Sequence, residues 1–514
     1  MIVDRNIGGS VTAPRIRVIE IDAFERDISL RLPFRFGAAT LEKAPQAFLR
    51  VRIEDEEGRT ALGAAAEMIV PKWFDKNPAF TPAQNVDQLR TSIRTAAAAS
   101  LEPSAPATLF AAAQRNEAET VRRLPGNPLA ACFGPSLIAR AVLDAYCRLA
   151  GISFFEAVRG NLVGIGGPML PGDIDADAAS AMLAGLRPAG AISARHTIGL
   201  VDPISEGDIV HPVGDGLPES LEAVITRYGN RWFKIKLAGT IDADIDRLTR
   251  IAAVLDRLPD YRVTVDGNEQ FGAAEQLAAL LAQIEATPRL ARLRAAIAFV
   301  EQPFSRAITM DTPLGDLAAQ LPFLIDESDD GDGAFAGARR LGYTGVSSKT
   351  CKGIYRSLMK AIRIRTGTVP GLFLSGEDLT CQAGLAVQQD LALVSLLGLS
   401  HVERNGHHYV AGMQGAPQAE KARFAAAHPD LYEQGADGPL LSIRDGRIAI
   451  GSLGAVGYGE WRLARFRSHD ANVMTPDPTV QQVAKDCVDL YVAVGAGYLT
   501  GQGPVASERA AKSG

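Results

Sequence analysis

The chain has little cysteine for its length. Five residues (Cys132, Cys147, Cys351, Cys381 and Cys487) are scattered over 514 positions, an odd number without metal-ligand spacing. That fits a reducing cytoplasm better than a disulfide framework. The first residues, MIVDRNIGGSVTAPR, lack an apolar signal core. No run of about 18 uncharged apolar residues suggests a membrane span. Charge of one sign is also missing: 53 Lys and Arg against 59 Asp and Glu leave a net charge of −6. The chain therefore has no electrostatic footprint for nucleic acid. Solenoid repeats and long low-complexity segments are absent.

What is present is a series of short apolar runs, each ending in charge. RWFKIK ends at Lys234 and Lys236, YRVTVD at Asp266 and AIAFVE at Glu301. PFLID ends at Asp326 and GVSSK at Lys349. Successive ends lie roughly 25–35 residues apart, which is one strand plus one helix of a (β/α)8 barrel. In that fold the C-terminal strand ends converge on one mouth, so the three acids and the lysines would share one site. Three carboxylates suit a hard divalent cation, and lysines can move protons.

The rest of the chain organises around that barrel. Strands are expected at Ile16–Phe24, Ala47–Glu54 and Ala61–Ile69, with loops at Leu32–Thr40 and Val70–Pro78. Helices follow at Ala83–Ala98 and Pro106–Arg123, an order that reads as an α+β unit. Ser136–Ala150 is a strong helix with Gly151 as its stop. The first barrel strand is placed at His196–Val201. The Gly/Pro-rich loop Asp202–Pro218 follows as a candidate lid, then the helix Glu219–Tyr228. The seventh strand, Gly371–Ser375, runs to Glu377 and Asp378. The eighth, Ser400–Glu403, leads into ERNGHH. Gly438–Tyr458 alternates around turns and is not barrel-like, which suggests a return to the N-terminal unit. The expected divisions are 15–135 (α+β cap), 136–415 (barrel), 416–467 (return) and 468–514, a tail with one amphipathic helix at Val480–Val494.

The motifs KIK (Lys234, Lys236), VDGNEQ (Asp266), VEQPF (Glu301), IDES (Asp326) and SSKTCKG (Lys349) resemble the enolase superfamily. More narrowly, they are similar to the muconate lactonizing enzyme branch of the mandelate racemase/muconate lactonizing enzyme group. The resemblance spans roughly residues 16–460. Each motif alone is weak, and five in order are strong. The resemblance implies that Asp266, Glu301 and Asp326 ligate Mg2+, with Mn2+ as an alternative. It implies that Lys236 and Lys349 face each other across a small-molecule carboxylate as acid/base groups, with Lys234 polarising the substrate carboxylate. A lysine base needs its pKa lowered toward neutrality, for which metal charge and a neighbouring lysine are the expected cause. Strands two and six are nearly diametric in an eight-stranded barrel, which places the two lysines on opposite sides.

Further candidates are weaker. Glu269 reads either as a group behind Asp266 or as a loop acid, and Glu327 competes with Asp326 as a ligand. Phe36 and Trp73, on the loops expected to cover the mouth, are candidates for substrate contact, as are Glu377, Glu403 and His407. Lys72 and Lys76 lie on the same loop as Trp73. Cys351 and Cys381 read as buried filler. A strand-six and strand-seven His-x-Asp pair is missing, which argues against a mandelate-racemase-type histidine base. ERNGHH is not the Asp-x-Asp of dipeptide epimerases. Ile354 stands where the second glycine of the lysine motif is expected.

The expected activity is proton abstraction alpha to a carboxylate, giving racemisation, epimerisation or cycloisomerisation. An acid-sugar dehydratase and a non-catalytic barrel scaffold are the alternatives. Substrate identity and oligomeric state, a homo-oligomer included, stay open.

Overall fold

The computed structural model describes residues 13–462. The amphipathic helix expected at Val480–Val494, Cys487 and residues 1–12 of the expected N-terminal tail lie outside the described residues.

The cap begins with a long antiparallel hairpin, β1 (Ile16–Phe36) and β2 (Ala39–Asp55), joined edge to edge by β3 (Thr60–Met68). The stretch Leu32–Thr40, expected as a loop, is instead the hairpin's tip: Phe34 pairs with Leu41 and Phe36 with Ala39. A Gly at position 37 with φ +53° makes the two-residue turn possible. Three helices cover the sheet: α1 (Pro82–Leu101), α2 (Leu109–Arg123) and α3 (Phe133–Ala150). Helix α1 starts where Thr81 and Gln84 form a reciprocal capping box with Pro82 at the first turn. Helix α3 stops at Gly151, whose φ of 68° provides a left-handed cap. Pro128–Ala150, a segment containing α3, is the one helical stretch among the described residues long and apolar enough to cross a membrane. All of its apolar window is buried inside the molecule.

The second unit is a closed barrel of eight parallel strands. They are β4 (Ala191–Ile198), β5 (Trp232–Lys236), β6 (Arg262–Asp266), β7 (Ile297–Glu301), β8 (Phe323–Ile325), β9 (Gly345–Ser348), β10 (Phe373–Gly376) and β11 (His401–Arg404). Closure is the parallel pairing of β11 with β4. The first barrel strand starts five residues before the sequence placed it. The reason is visible in its pairing: Ala191–Ser193 is covered by an antiparallel partner, Arg447–Ala449, that a helix-period reading does not show.

Both faces of each barrel strand are buried, so the strands read as nearly continuous apolar runs. In β5, Phe233 and Ile235 join the apolar layer beneath the outer helices, while Lys234 and Lys236 point into the barrel. The same alternation turns Asp266, Glu301, Glu377 and Glu403 inward.

After β11 come β12 (Tyr432–Gly435), β13 (Gly438–Leu441) and β14 (Arg447–Ala449). The first two form a hairpin. Strand β14 pairs antiparallel with β4, so this part of the expected return joins the barrel rather than the cap. Cap contacts come further along: the amide of Tyr458 donates to Asp144 on α3, and Arg148 donates to the carbonyl of Gly459.

Candidate active site

The inward side chains at the strand ends form one buried ionic cluster. The Nζ of Lys234 lies 3.0 Å from Asp266, 2.8 Å from Glu301, 3.0 Å from Glu377 and 3.1 Å from Glu403. Lys236 donates to Asp266 at 2.6 Å and Lys349 to Asp326 at 2.6 Å. These two lysines stand on β5 and just past β9, four strands apart in a ring of eight.

Asp326 is held from below. Its Oδ1 accepts from Ser347 at 2.6 Å and from Lys352 at 2.9 Å, and Lys352 also donates to its main-chain carbonyl. Lys352 in turn contacts Ser347 and Asp329. On the opposite wall Arg195 pairs with Glu377 and donates to Ser375. Glu403 accepts from Thr197 at 2.6 Å and from the amide of Asp378 at 3.0 Å.

The electrostatics follow from burial and neighbours. Burial raises the Glu301 carboxyl well above its ordinary range, and the like charges of Asp266 and Glu377 push it the same way. Burial also works against ionised Asp326, but Lys349 and Lys352 override it and hold that carboxyl well below the usual value. Lys349 is the mirror case: burial favours the neutral amine, and Asp326 overrides it and raises the pKa. The expected lowering toward neutrality is therefore not what this arrangement gives.

The cation question has the same answer in geometry. Asp266, Glu301 and Asp326 were expected to converge. Instead Lys234 sits against the first two, while Lys349 and Lys352 claim the third. Among the described residues no three His, Cys, Asp or Glu side chains meet in a metal-holding group. The donor chemistry still fits a hard divalent ion: three carboxylates follow one another on β6, β7 and just past β8. One of them, Glu301, is under like-charge pressure. Asp266, Glu301 and Asp326 are the side chains that would hold such an ion.

The cap supplies a roof of aromatic rings. Trp73 lies over the Lys349 ammonium at 4.1 Å, and Phe34 lies 5.9 Å from that of Lys236. Phe34 stacks on Tyr409 at 4.3 Å. Phe36, expected to face the substrate, packs beside Phe34 and lines a 650 Å³ cavity between the hairpin and α1. His407 is also elsewhere. It packs with His196, His408 and Tyr228, on the side of β4 away from inward-facing Arg195 and Thr197. The loop Asp202–Pro218 is tied to the hairpin by Arg31, which grips Asp215 at 2.5 and 2.8 Å. Glu269 and Glu327 both contact Lys76 from the cap.

Sequence reasoning gave no role to Phe34, Arg195, Thr197 or Arg306. Phe34 was within reach, two positions before Phe36 in the same LPFRF stretch. Arg195 and Thr197 become visible only once β4 is extended to Ala191 and its inward register is set.

No protein-family model matches the sequence, and no curated protein matches it. Solved structures match over most of the chain. A 2-chloromuconate cycloisomerase from Rhodococcus opacus 1CP superposes with a TM-score of 0.56 at 17% identity, covering 86% of this chain and 96% of that one. A dipeptide epimerase from Enterococcus faecalis V583, complexed with Mg and L-Leu-L-Tyr, gives 0.55 at 15%, covering 86% and 99%. A muconate lactonizing enzyme from Pseudomonas fluorescens gives 0.54 at 19%, covering 87% and 96%. The chain has the fold of these structures. The ionic cluster lies at the C-terminal ends of the barrel strands, the face on which this barrel architecture carries its sites.

Proposed function

We propose that the protein is an enzyme that abstracts a proton alpha to a carboxylate, giving racemisation, epimerisation or cycloisomerisation of a small acid. The observation that carries this reading is the pair Lys236 and Lys349, four strands apart, with acids at the three strand ends after β5 between them. One lysine, as the free amine, takes the proton from one face of the alpha carbon. The other, as ammonium, returns a proton to the opposite face. Each lysine is held in place by a buried carboxylate, and Lys234 offers its ammonium to the substrate carboxylate. Phe34 and Trp73 exclude water above the reacting carbon, which strengthens every charge interaction beneath them.

Asp266, Glu301 and Asp326 would hold Mg2+ or Mn2+. When bound, such an ion neutralises negative charge that develops on the substrate carboxylate.

An acid-sugar dehydratase is the second reading. Glu377 and Glu403 favour it, because they add two acids to the same cluster from β10 and β11. The histidines do not, since His407 and His408 pack outside the barrel.

The test is exchange of solvent deuterium into a library of carboxylates in D2O, with Mg2+ and again with a chelator. Exchange detects proton abstraction whatever follows it. A complete absence of exchange from a broad library, with the metal supplied, would overturn the reading. Loss of water from a polyol acid after exchange would move it to the dehydratase.

A further inference from the structure

The cap loop carrying Trp73 is fastened to the barrel by the side chains of Arg306, Lys76, Glu269 and Glu327. Arg306 follows the VEQPF strand end and reaches in two directions. Its Nε and Nη2 donate to the two Glu269 oxygens at 3.0 and 2.9 Å. Its Nη1 and Nη2 donate to the main-chain carbonyls of Phe74 at 2.7 Å and Trp73 at 2.9 Å. Lys76, from the loop itself, crosses back. Its Nζ lies 2.7 Å from Glu269 and 3.1 Å from Glu327, and it donates to the carbonyl of Asn268 at 2.9 Å.

Three features make this more than a surface ion pair. The acids are inside: the Glu269 and Glu327 side chains are 4% and 0% exposed. They are also tied by sequence to the central cluster, Glu269 three residues after Asp266 and Glu327 directly after Asp326. Finally, the backbone bearing one of them is held in a costly conformation. Asn268 and Glu269 have φ of 42° and 70°, and Gln302, beside Glu301, has 33°. Such residues persist only where the surroundings over-determine them.

We propose that Arg306 and Lys76 are positioning residues that hold Trp73 over Lys349. Arg306 fixes the two carbonyls at the loop's apex, and Lys76 clamps the loop's far side. Between them, the Trp73 ring is set at 4.1 Å from the ammonium it covers. A charge-assisted bond from Arg to a carbonyl and a carboxylate at once fixes direction as well as distance, which lysine at the same place does not reproduce. The acid/base role of Lys349 rests on the function proposed above. The fastening of the loop does not.

The experiment therefore reads the loop directly. Hydrogen–deuterium exchange by mass spectrometry on full-length protein would compare wild type with Arg306→Lys, Arg306→Ala and Lys76→Met. Amides of residues 70–77 should exchange at least about tenfold faster in each variant, because local opening there loses charge-assisted bonds. Amides of α3 should be unchanged, which shows that the fold is intact. Acrylamide quenching in a Trp232→Phe, Trp461→Phe background should rise in parallel, since Trp73 is then the sole tryptophan. If Arg306→Ala does not fold, Lys76→Met decides. Unchanged loop exchange in Lys76→Met and Arg306→Lys, with α3 also unchanged, would overturn the proposal. Where a substrate has been found, the same variants should raise KM while leaving substrate-bound kcat within about threefold, the signature of a roof that must be ordered on binding. Failure to find any exchanging carboxylate would count against the proposed activity and leave the loop result standing.

Discussion

Lys234 is one ammonium in contact with four carboxyl groups. Its neighbours Arg195 and Lys236 serve Glu377 and Asp266 but not Glu301. Removing the ammonium leaves Glu301 without a cation beside it. Lys234→Met should therefore cost about 3–5 kcal/mol in urea unfolding, the range for removing one partner of a buried ionic cluster. Because the donor chemistry suits a hard cation, millimolar Mg2+ should restore part of that loss in the variant. A loss below about 1 kcal/mol, insensitive to Mg2+, would show that charge balance does not hold the cluster together.

At the same scale, Lys236→Ala and Lys349→Ala each remove one candidate proton carrier. Each should lower turnover on the order of 10²–10⁴-fold. For a racemase, the two variants should keep deuterium wash-in from opposite enantiomers. Full activity of Lys349→Ala would end the two-lysine mechanism.

At the scale of elements, the closest approach in the cap is between β3 and α3. A Cβ on Gly63 would fall 2.1 Å from the amide nitrogen of Ala145 and 2.4 Å from the carbonyl of Ala141. Both are backbone atoms, so the helix itself would have to retreat. Gly63→Ala is expected to destabilise by about 3 kcal/mol or more, the upper end for overpacking. Gly185, with open space around it, is the control: Gly185→Ala should stay within about 1 kcal/mol of wild type. Equal effects at the two sites would show that the helix moves freely over the sheet.

Elements were also where the sequence was most and least legible. The barrel strands bearing Lys234, Asp266, Glu301 and Lys349 could be placed because a short apolar run ending in charge has few other meanings. The hairpin tip at Leu32–Thr40 could not. LPFRFGAAT contains a glycine turn with only two or three alternating residues on each side, and the register that extends β1 to Phe36 is set by its partner strand. For the same reason Phe34 and Phe36 are equally plausible as mouth-facing rings until the pairing is known. The lysine–acid contacts were beyond reach altogether. Strand spacing says which residues share a mouth, not which pairs close first in the absence of another cation.

For the molecule as a whole, acid sensitivity should come from the buried His196 and His408 and the half-buried His407. His196 is pushed by burial from 6.5 down to about 3, and burial likewise drives His407 and His408 well below their ordinary value, helped by His196 and Arg31. A depressed folded-state pKa means that the unfolded chain takes the proton first as pH falls. The stability from neutral histidine is complete above pH 6.5 and is lost progressively below it. Asp390, raised by burial to about 6, titrates in the same window with the opposite sign. The difference between variants is therefore the clean measurement. His407 has both ring nitrogens unpartnered, so phenylalanine can replace it without stranding a hydrogen bond. His407→Phe should flatten the slope of stability against pH by about 1.4 kcal/mol per unit between pH 6.5 and 4.5. Parallel curves for the two proteins would show that His407 is not held neutral.

The antiparallel partner of the first barrel strand has a consequence for the order of assembly. Ala191–Ser193 is paired by Ala449–Arg447, and the amide of Ala194 donates to Gly446, some 250 residues later. The cap waits on the same stretch, because Asp144 and Arg148 receive Tyr458 and Gly459. During synthesis, neither unit is finished when its own strands and helices have emerged. All eight barrel strands are complete at Arg404, yet the first remains half-paired until Arg447–Ala449 arrives. The contacts that complete both units are thus of the longest sequence separation, so truncation after Arg404 is expected to leave both units sensitive to proteolysis.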